Sequence, residues 1–183
     1  NNTTSTDMYN VAVGSQAGQA VTTGGNNTLI GGIAGDVLTT GERNVAVGFN
    51  ALSEDIKGQR NVAVGDSALG DQNFTTATNV YNVGVGFNAG GVISTGIYNT
   101  LTGGLAGDAL RDADYNVATG YLALSEDTFG SRSVAIGAVA LAAQNFTTAT
   151  DAYNVAVGAF AGAAVTTGFN NTLVGGLAGD ALN

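Results

Sequence analysis

Apolar and polar positions alternate along this chain in short bursts, each closed by a glycine. The frame reads Asn, Val or Thr, a small or apolar residue, another apolar residue or Thr, Gly, two variable residues, then Ala. It starts at Asn10, Asn27, Asn44, Asn61, Asn82, Asn99, Asn116, Ser133, Asn154 and Asn171. Its glycine (Gly14, Gly31, Gly48 and Gly65 in the first four units) and its alanine (Ala17, Ala34, Ala51 and Ala68) recur in every unit. Successive starts lie 17, 17, 17, 21, 17, 17, 17, 21 and 17 residues apart, so the pattern closes every 72 residues. The chain is therefore read as one repeat array over 1–183, in blocks 10–81, 82–153 and a partial 154–183. Asn1 to Tyr9 match Asn73 to Tyr81 in phase, and no atypical capping unit stands at either end. Repeat arrays end in such caps, so an excerpt of a longer array is expected.

Period-two apolar residues, β-branching and a terminal glycine specify strands and argue against a helical repeat. At about 3.3 Å per residue, 17 residues make a circuit of roughly 55 Å, enough for two short strands and two turns around one layer of side chains. The first strand is the Asn-Val-Ala-Val segment. The second is expected at segments such as Val21-Thr22-Thr23 and Val37-Leu38-Thr39-Thr40. The expected fold is all-β: a parallel β-solenoid of ten coils stacked at about 4.8 Å, a rod of roughly 48 Å. Stacked Asn amides would bond along the axis, and the glycine would supply a positive φ or a close backbone approach. Val45 and Val47 face one way and Ala46 the other, and the valines are expected in the one-layer core. In the second coil of each block the alanine becomes Leu29, Leu101 or Leu173, so both faces are apolar. Strands without a polar face are normally covered on both sides, which predicts a homo-oligomer.

Composition narrows the function. With 44% apolar and only 10% charged residues the chain is not simply disordered. Net charge is −9 with five Lys and Arg, and no basic cluster exists to neutralise phosphates or an anionic membrane. No nucleic-acid partner and no membrane contact are expected. The absence of His and Cys removes the familiar catalytic triads and most transition-metal sites.

Iterated Asn-Val-Ala-Val-Gly-x-x-Ala, and Ser133-Val134-Ala135-Ile136-Gly137-Ala138-Val139-Ala140 above all, resembles the head repeat of YadA-like trimeric autotransporter adhesins. Similar repeats occur in bacteriophage tail fibres. The resemblance implies a left-handed parallel β-roll, three intertwined chains and exposure on a cell or virion surface. It also implies attachment to a host or surface receptor. These coils are longer than the usual head coil of that family, and the 21-residue coils break its regularity.

The expected function is a structural, extracellular fibre or adhesin segment without enzymatic activity, cofactor or metal. A tail-fibre shaft is one alternative. An ice-binding solenoid is another, suggested by Thr22-Thr23, Thr39-Thr40, Thr75-Thr76 and Thr166-Thr167. Two carboxylates suffice for glycoside hydrolysis, but Glu54-Asp55 and Glu126-Asp127, preceding Arg60 and Arg132, read better as exposed, ion-paired turns. Gly31 to Asp36 has the wrong period for a calcium nonapeptide and too few oxygen ligands. Gly84, Gly86 and Gly90 lack dinucleotide-loop spacing. The four-residue insertions are the better candidates for binding. Gln72-Asn73-Phe74-Thr75-Thr76 recurs as Gln144-Asn145-Phe146-Thr147-Thr148. Such loops protrude from a rigid scaffold, unless the Phe folds back to cover a neighbouring coil, the favoured reading.

Overall fold

A computed structural model describes residues 8–182; the phase match at residues 1–7 and the final Asn lie outside them. Among the described residues the structure is all-β, with no helix. Ten strands, Val11–Val13, Thr28–Ile30, Val45–Val47, Val62–Val64, Val83–Val85, Thr100–Thr102, Val117–Thr119, Val134–Ile136, Val155–Val157 and Thr172–Val174, form one sheet in that order. Every pair is parallel, and equivalent residues are in register: Val11 beside Thr28, Val45 beside Val62, Val62 beside Val83. The chain is a β-solenoid. Coils are numbered 1 to 10 from Asn10 to Asn171.

The asparagine column ties coil to coil, though not amide to amide along its whole length. Asn27 Oδ1 accepts the backbone N–H of Asn44 at 2.9 Å, while Asn27 Nδ2 donates to the Gly41 carbonyl at 2.9 Å. Asn44 repeats the pattern with Asn61 N and Gly58 O. Such an amide satisfies one backbone donor of the next coil and one carbonyl across its own coil, groups that would otherwise be orphaned; Asn61, in the first longer coil, gives its Nδ2 to Asp55 Oδ2 at 3.5 Å instead. Direct amide contacts occur as well, Asn171 Nδ2 to Asn154 Oδ1 at 3.1 Å being one. Ser133 fills the slot in coil 8 and donates its backbone N–H to Asn116 Oδ1.

The glycine closing each strand satisfies both expectations placed on it. Gly48 has φ 146°, and a Cβ built on it would stand 2.2 Å from the Gly65 carbonyl oxygen. The alanine three residues on is buried from coil 2 onward in coils that have neighbours on both sides, as at Ala34, Ala51 and Ala68.

The facing of the strand is the reverse of that expected. Ala46, Ala63 and Leu29 point into the core, while Val45 and Val47 are half-buried on the outer face. The core is a single thin layer, and its other wall fills it. Four positions supply it: the strand centre, the repeat alanine, the residue after that alanine, and one three residues further. Coil 2 contributes Leu29, Ala34, Gly35 and Leu38; coil 3 contributes Ala46, Ala51, Leu52 and Asp55. Where the strand brings a leucine, the turn opposite carries glycine. A Cβ at Gly18 or Gly35 would stand 2.8 or 2.9 Å from a Leu29 methyl. In coils 3 and 4 the strand brings Ala46 and Ala63, and the turn brings Leu52 and Leu69; coil 1, with Ala12 and Gly18, leaves its turn to the Leu29 of coil 2. Density is kept by exchanging which wall carries the leucine.

No strand forms at Val21-Thr22-Thr23 or Val37 to Thr40. Thr22 N and Gly24 N both donate to the Thr39 carbonyl, and Ser94 N and Gly96 N both donate to that of Arg111. Two donors converging on one acceptor fan the backbone instead of extending a ladder. The turn before them is built from left-handed residues, Asn50 and Leu52 in coil 3 at φ 57° and 53°. Such residues cost about 1 kcal/mol each when not glycine. They are held here by coil-to-coil bonds such as Leu52 N to Ala68 O. Among the described residues a second ladder exists only beside the insertions, pairing Gly58–Gln59 with Thr78–Asn79 and Gly130–Ser131 with Thr150–Asp151.

Candidate functional site

The outer face of the ten-stranded sheet is lined by Val, Ile and Thr. Two side chains per strand project from it, Val or Thr first and Val, Ile or Thr second. Ile30 and Ile136 are 37% and 40% exposed, and the valines of the interior coils are half-buried. No charged residue interrupts these columns. A monomer seldom leaves so long an apolar face to water.

The insertions form the second feature. Phe74 and Phe146 fold back and are buried, as the favoured reading expects. Gln72 and Gln144 are also fully buried, which corrects their assignment to a protruding loop; Thr75, Thr76, Thr147 and Thr148 do project, with Asn73 and Asn145 exposed beside them. Each loop is anchored by a buried acid. Asp55 Oδ1 accepts the backbone N–H groups of Gly58 at 3.0 Å and Phe74 at 3.1 Å. Its Oδ2 accepts Gln72 Nε2 at 2.6 Å, and Gln72 Oε1 accepts Asn82 Nδ2 at 2.9 Å. Asp127, Gln144, Phe146 and Asn154 repeat the arrangement one block later, with Ser133 Oγ joining Gln144.

Asp55 and Asp127 are therefore not exposed turn residues, and their partners are not Arg60 and Arg132. Arg60 Nε donates to Asn79 Oδ1 at 2.8 Å, and Arg132 Nε pairs with Asp151 at 2.9 Å. The acid is needed inside because the longer coil brings in backbone donors that no neighbouring carbonyl meets. Burial pushes both carboxyls above the ordinary value of 3.8, while the bonds from Gln and the loop amides pull the other way. Glu54 and Glu126 stay outside the buried clip, so neither pair presents two carboxylates to a common site. The signal lay in the sequence: the position reading Val21 and Leu38 in coils 1 and 2 reads Asp55 and Gln72 in coils 3 and 4, and Asp127 and Gln144 again one block on.

Aromatic residues outside the loops, which the repeat frame does not single out, make two exposed columns. Tyr81, Tyr98 and Tyr115, each just before a repeat Asn, stack at centroid separations of 5.6 and 4.9 Å, with Arg60 and Arg132 over the terminal rings. Phe49, Phe87 and Tyr121, each just after a strand-closing glycine, stand apart from one another on alternate coils.

The remaining candidates do not assemble. Thr22-Thr23 and Thr39-Thr40 lie on adjacent coils, but Ile56-Lys57 follows them in coil 3, so that rank is two coils deep. Gly84, Gly86 and Gly90 are strand, corner and turn of coil 5. Asp36 and Asp108 each bury one carboxylate oxygen without a hydrogen bond, yet no group of three or more His, Cys, Asp or Glu forms among the described residues. Among the same residues, no helix is long and apolar enough to cross a membrane. No protein-family model matches the chain, and comparison with curated proteins and with solved structures finds no match.

Proposed function

We propose that the chain is a rigid rod segment of an extracellular fibre or adhesin, in which three copies close their outer sheet faces around a common axis. The observation that carries this reading is the apolar outer face: two uninterrupted columns of Val, Ile and Thr on ten strands, half-open to water in the single chain. The core beneath is already complete, so these side chains are not needed for the fold of one coil. Copies of the same solenoid offer a cover with matching period. The number three, the left-handed winding and the surface location rest on the resemblance to YadA-like head repeats. A bacteriophage tail-fibre shaft would use the same rod in another setting.

Solution mass by light scattering tests the proposal, with a trimer expected and a monomer at micromolar concentration overturning it. Val47→Asp sharpens the test. Because Val47 faces outward, the charge should separate the copies while leaving the β-signal of each chain in place. A variant that stayed assembled would exclude this face as the interface.

A further inference from the structure

Phe49, Phe87 and Tyr121 occupy one position of the repeat, in coils 3, 5 and 7, and are 59%, 60% and 57% exposed. They sit on the turn that follows the sheet, off the Val columns. Glycine makes room for two of them: a Cβ on Gly32 would stand 3.3 Å from Phe49 Cδ2, and one on Gly104 would stand 3.7 Å from Tyr121 Cδ2. Each of these two rings therefore lies over the glycine of the preceding coil and keeps a face to solvent. Between Phe49 and Phe87 stands Asp66, exposed, whose Oδ1 accepts the Ser67 hydroxyl at 2.8 Å. Rings separated by two coils are roughly 9.6 Å apart along the rod.

We infer that this row is a binding platform for an extended, uncharged β-1,4-linked polysaccharide. In such a chain alternate sugars are turned over, so the same apolar C–H face recurs once per disaccharide, a length close to the two-coil spacing. Three rings then take three sugars of one strand, and Asp66 can accept hydroxyls between the first two. Rigid, flat rings make such contacts at low entropic cost. Charge selects the polymer: with a net charge of −9 and a carboxylate inside the row, an anionic polysaccharide would be repelled.

The test is depletion of the whole chain from solution by microcrystalline cellulose and by chitin, with amylose, whose α-links coil the polymer, as control. The first two share the link and separate the sugar sources. Binding to at least one of them is expected, with little to amylose. Combined Phe49→Ala, Phe87→Ala and Tyr121→Ala should weaken it roughly tenfold or more. Phe169→Ala, an exposed ring off the row, should not. Melting of the triple variant should match the parent, since none of the three rings belongs to the core. No binding to either solid, equal binding to amylose, or retention by the triple variant would overturn the inference. The solution mass is read on the same sample, so a trimer that binds no glycan sinks this inference alone, and a monomer that binds sinks only the trimeric assembly.

Discussion

Coils 1 and 2 of each block and coils 3 and 4 solve the same packing problem with different residues. In coil 2 the strand supplies Leu29, the turn supplies Gly35, and Leu38 closes the far end of the layer against Gly41. In coil 3 the strand supplies Ala46, the turn supplies Leu52, and the far end is Asp55 against Gly58. Near the sheet the two solutions exchange the same leucine between opposite walls. At the far end they differ in kind, apolar against ionisable, and the difference follows the insertion. Where coils are of equal length, backbone donors meet the carbonyls of the next coil. Where coil 4 gains four residues, Phe74 N and Gly58 N have no such partner, and a carboxylate supplies one.

The largest effect should come from exchanging the two far ends. Asp55→Leu leaves the Gly58 and Phe74 amides and Gln72 Nε2 without an acceptor, each costing about 1–3 kcal/mol. A loss of roughly 3–9 kcal/mol is expected, measured by denaturant unfolding, with the Phe74 loop released first. Leu38→Asp places the acid where the insertion is absent and should cost about 3–5 kcal/mol, the penalty of an unpaired buried charge. Equal tolerance of leucine and aspartate at both positions would remove the distinction between the two coil types.

How much of this is legible in the residues alone depends on what repeats. Asn, Gly and Ala stand in almost every coil, and that recurrence specifies the stacking, the register and the corner glycine. The facing of Val45, Ala46 and Val47 is not specified in this way, because all three are apolar and alternation names two sides without saying which is inner. The answer lies in a correlation between coils: leucine at the strand centre accompanies glycine on the adjoining turns, and in coils 3, 4, 7 and 8 a strand alanine accompanies a turn leucine. The absent second strand carries no mark either, since left-handed Leu52 and Leu69 look like ordinary apolar residues. Asp55 reads as half of an acidic pair preceding Arg60, and that adjacency hides its alignment with Val21 and Leu38.

The leucine exchange can itself be tested by turning coil 2 into coil 3. Leu29→Ala opens a cavity and should cost about 2–5 kcal/mol. Gly35→Leu alone should also destabilise, since its first carbon meets Leu29 at 2.9 Å. Leu52, one coil on, shows that leucine accepts the left-handed backbone at this position, at φ 53°. The double variant should therefore recover part of both losses, giving a coupling of about 1–3 kcal/mol in a double-mutant cycle. Strict additivity would mean that the two leucine positions do not share one space.

The smallest effect is expected from pH, and it sharpens the contrast because only coils 3, 4, 7 and 8 carry the buried clip. Burial raises the Asp55 and Asp127 carboxyls in the fold above the 3.8 they have when unfolded. A raised carboxyl makes the fold favour the protonated form, so its penalty is absent below 3.8 and grows as pH climbs towards the folded value. Lowering the pH from neutral towards 3.8 should thus stabilise the rod, the reverse of ordinary acid denaturation. Asp108, raised by burial as well, adds to the trend. Asp112, lowered by the Thr95 and Ser94 hydroxyls, acts oppositely but chiefly below 3.8, outside that window. The hydrogen bonds from Gln72, Phe74 and Gly58 offset part of the desolvation of Asp55, which is why the slope should be modest. Combined Asp55→Asn and Asp127→Asn should flatten the melting temperature against pH whatever it does to its level. A slope unchanged in that variant would place the titration elsewhere, and a parent that lost stability steadily from neutral pH down to 3.8 would mean that the hydrogen bonds, not burial, set the charge state of the clip.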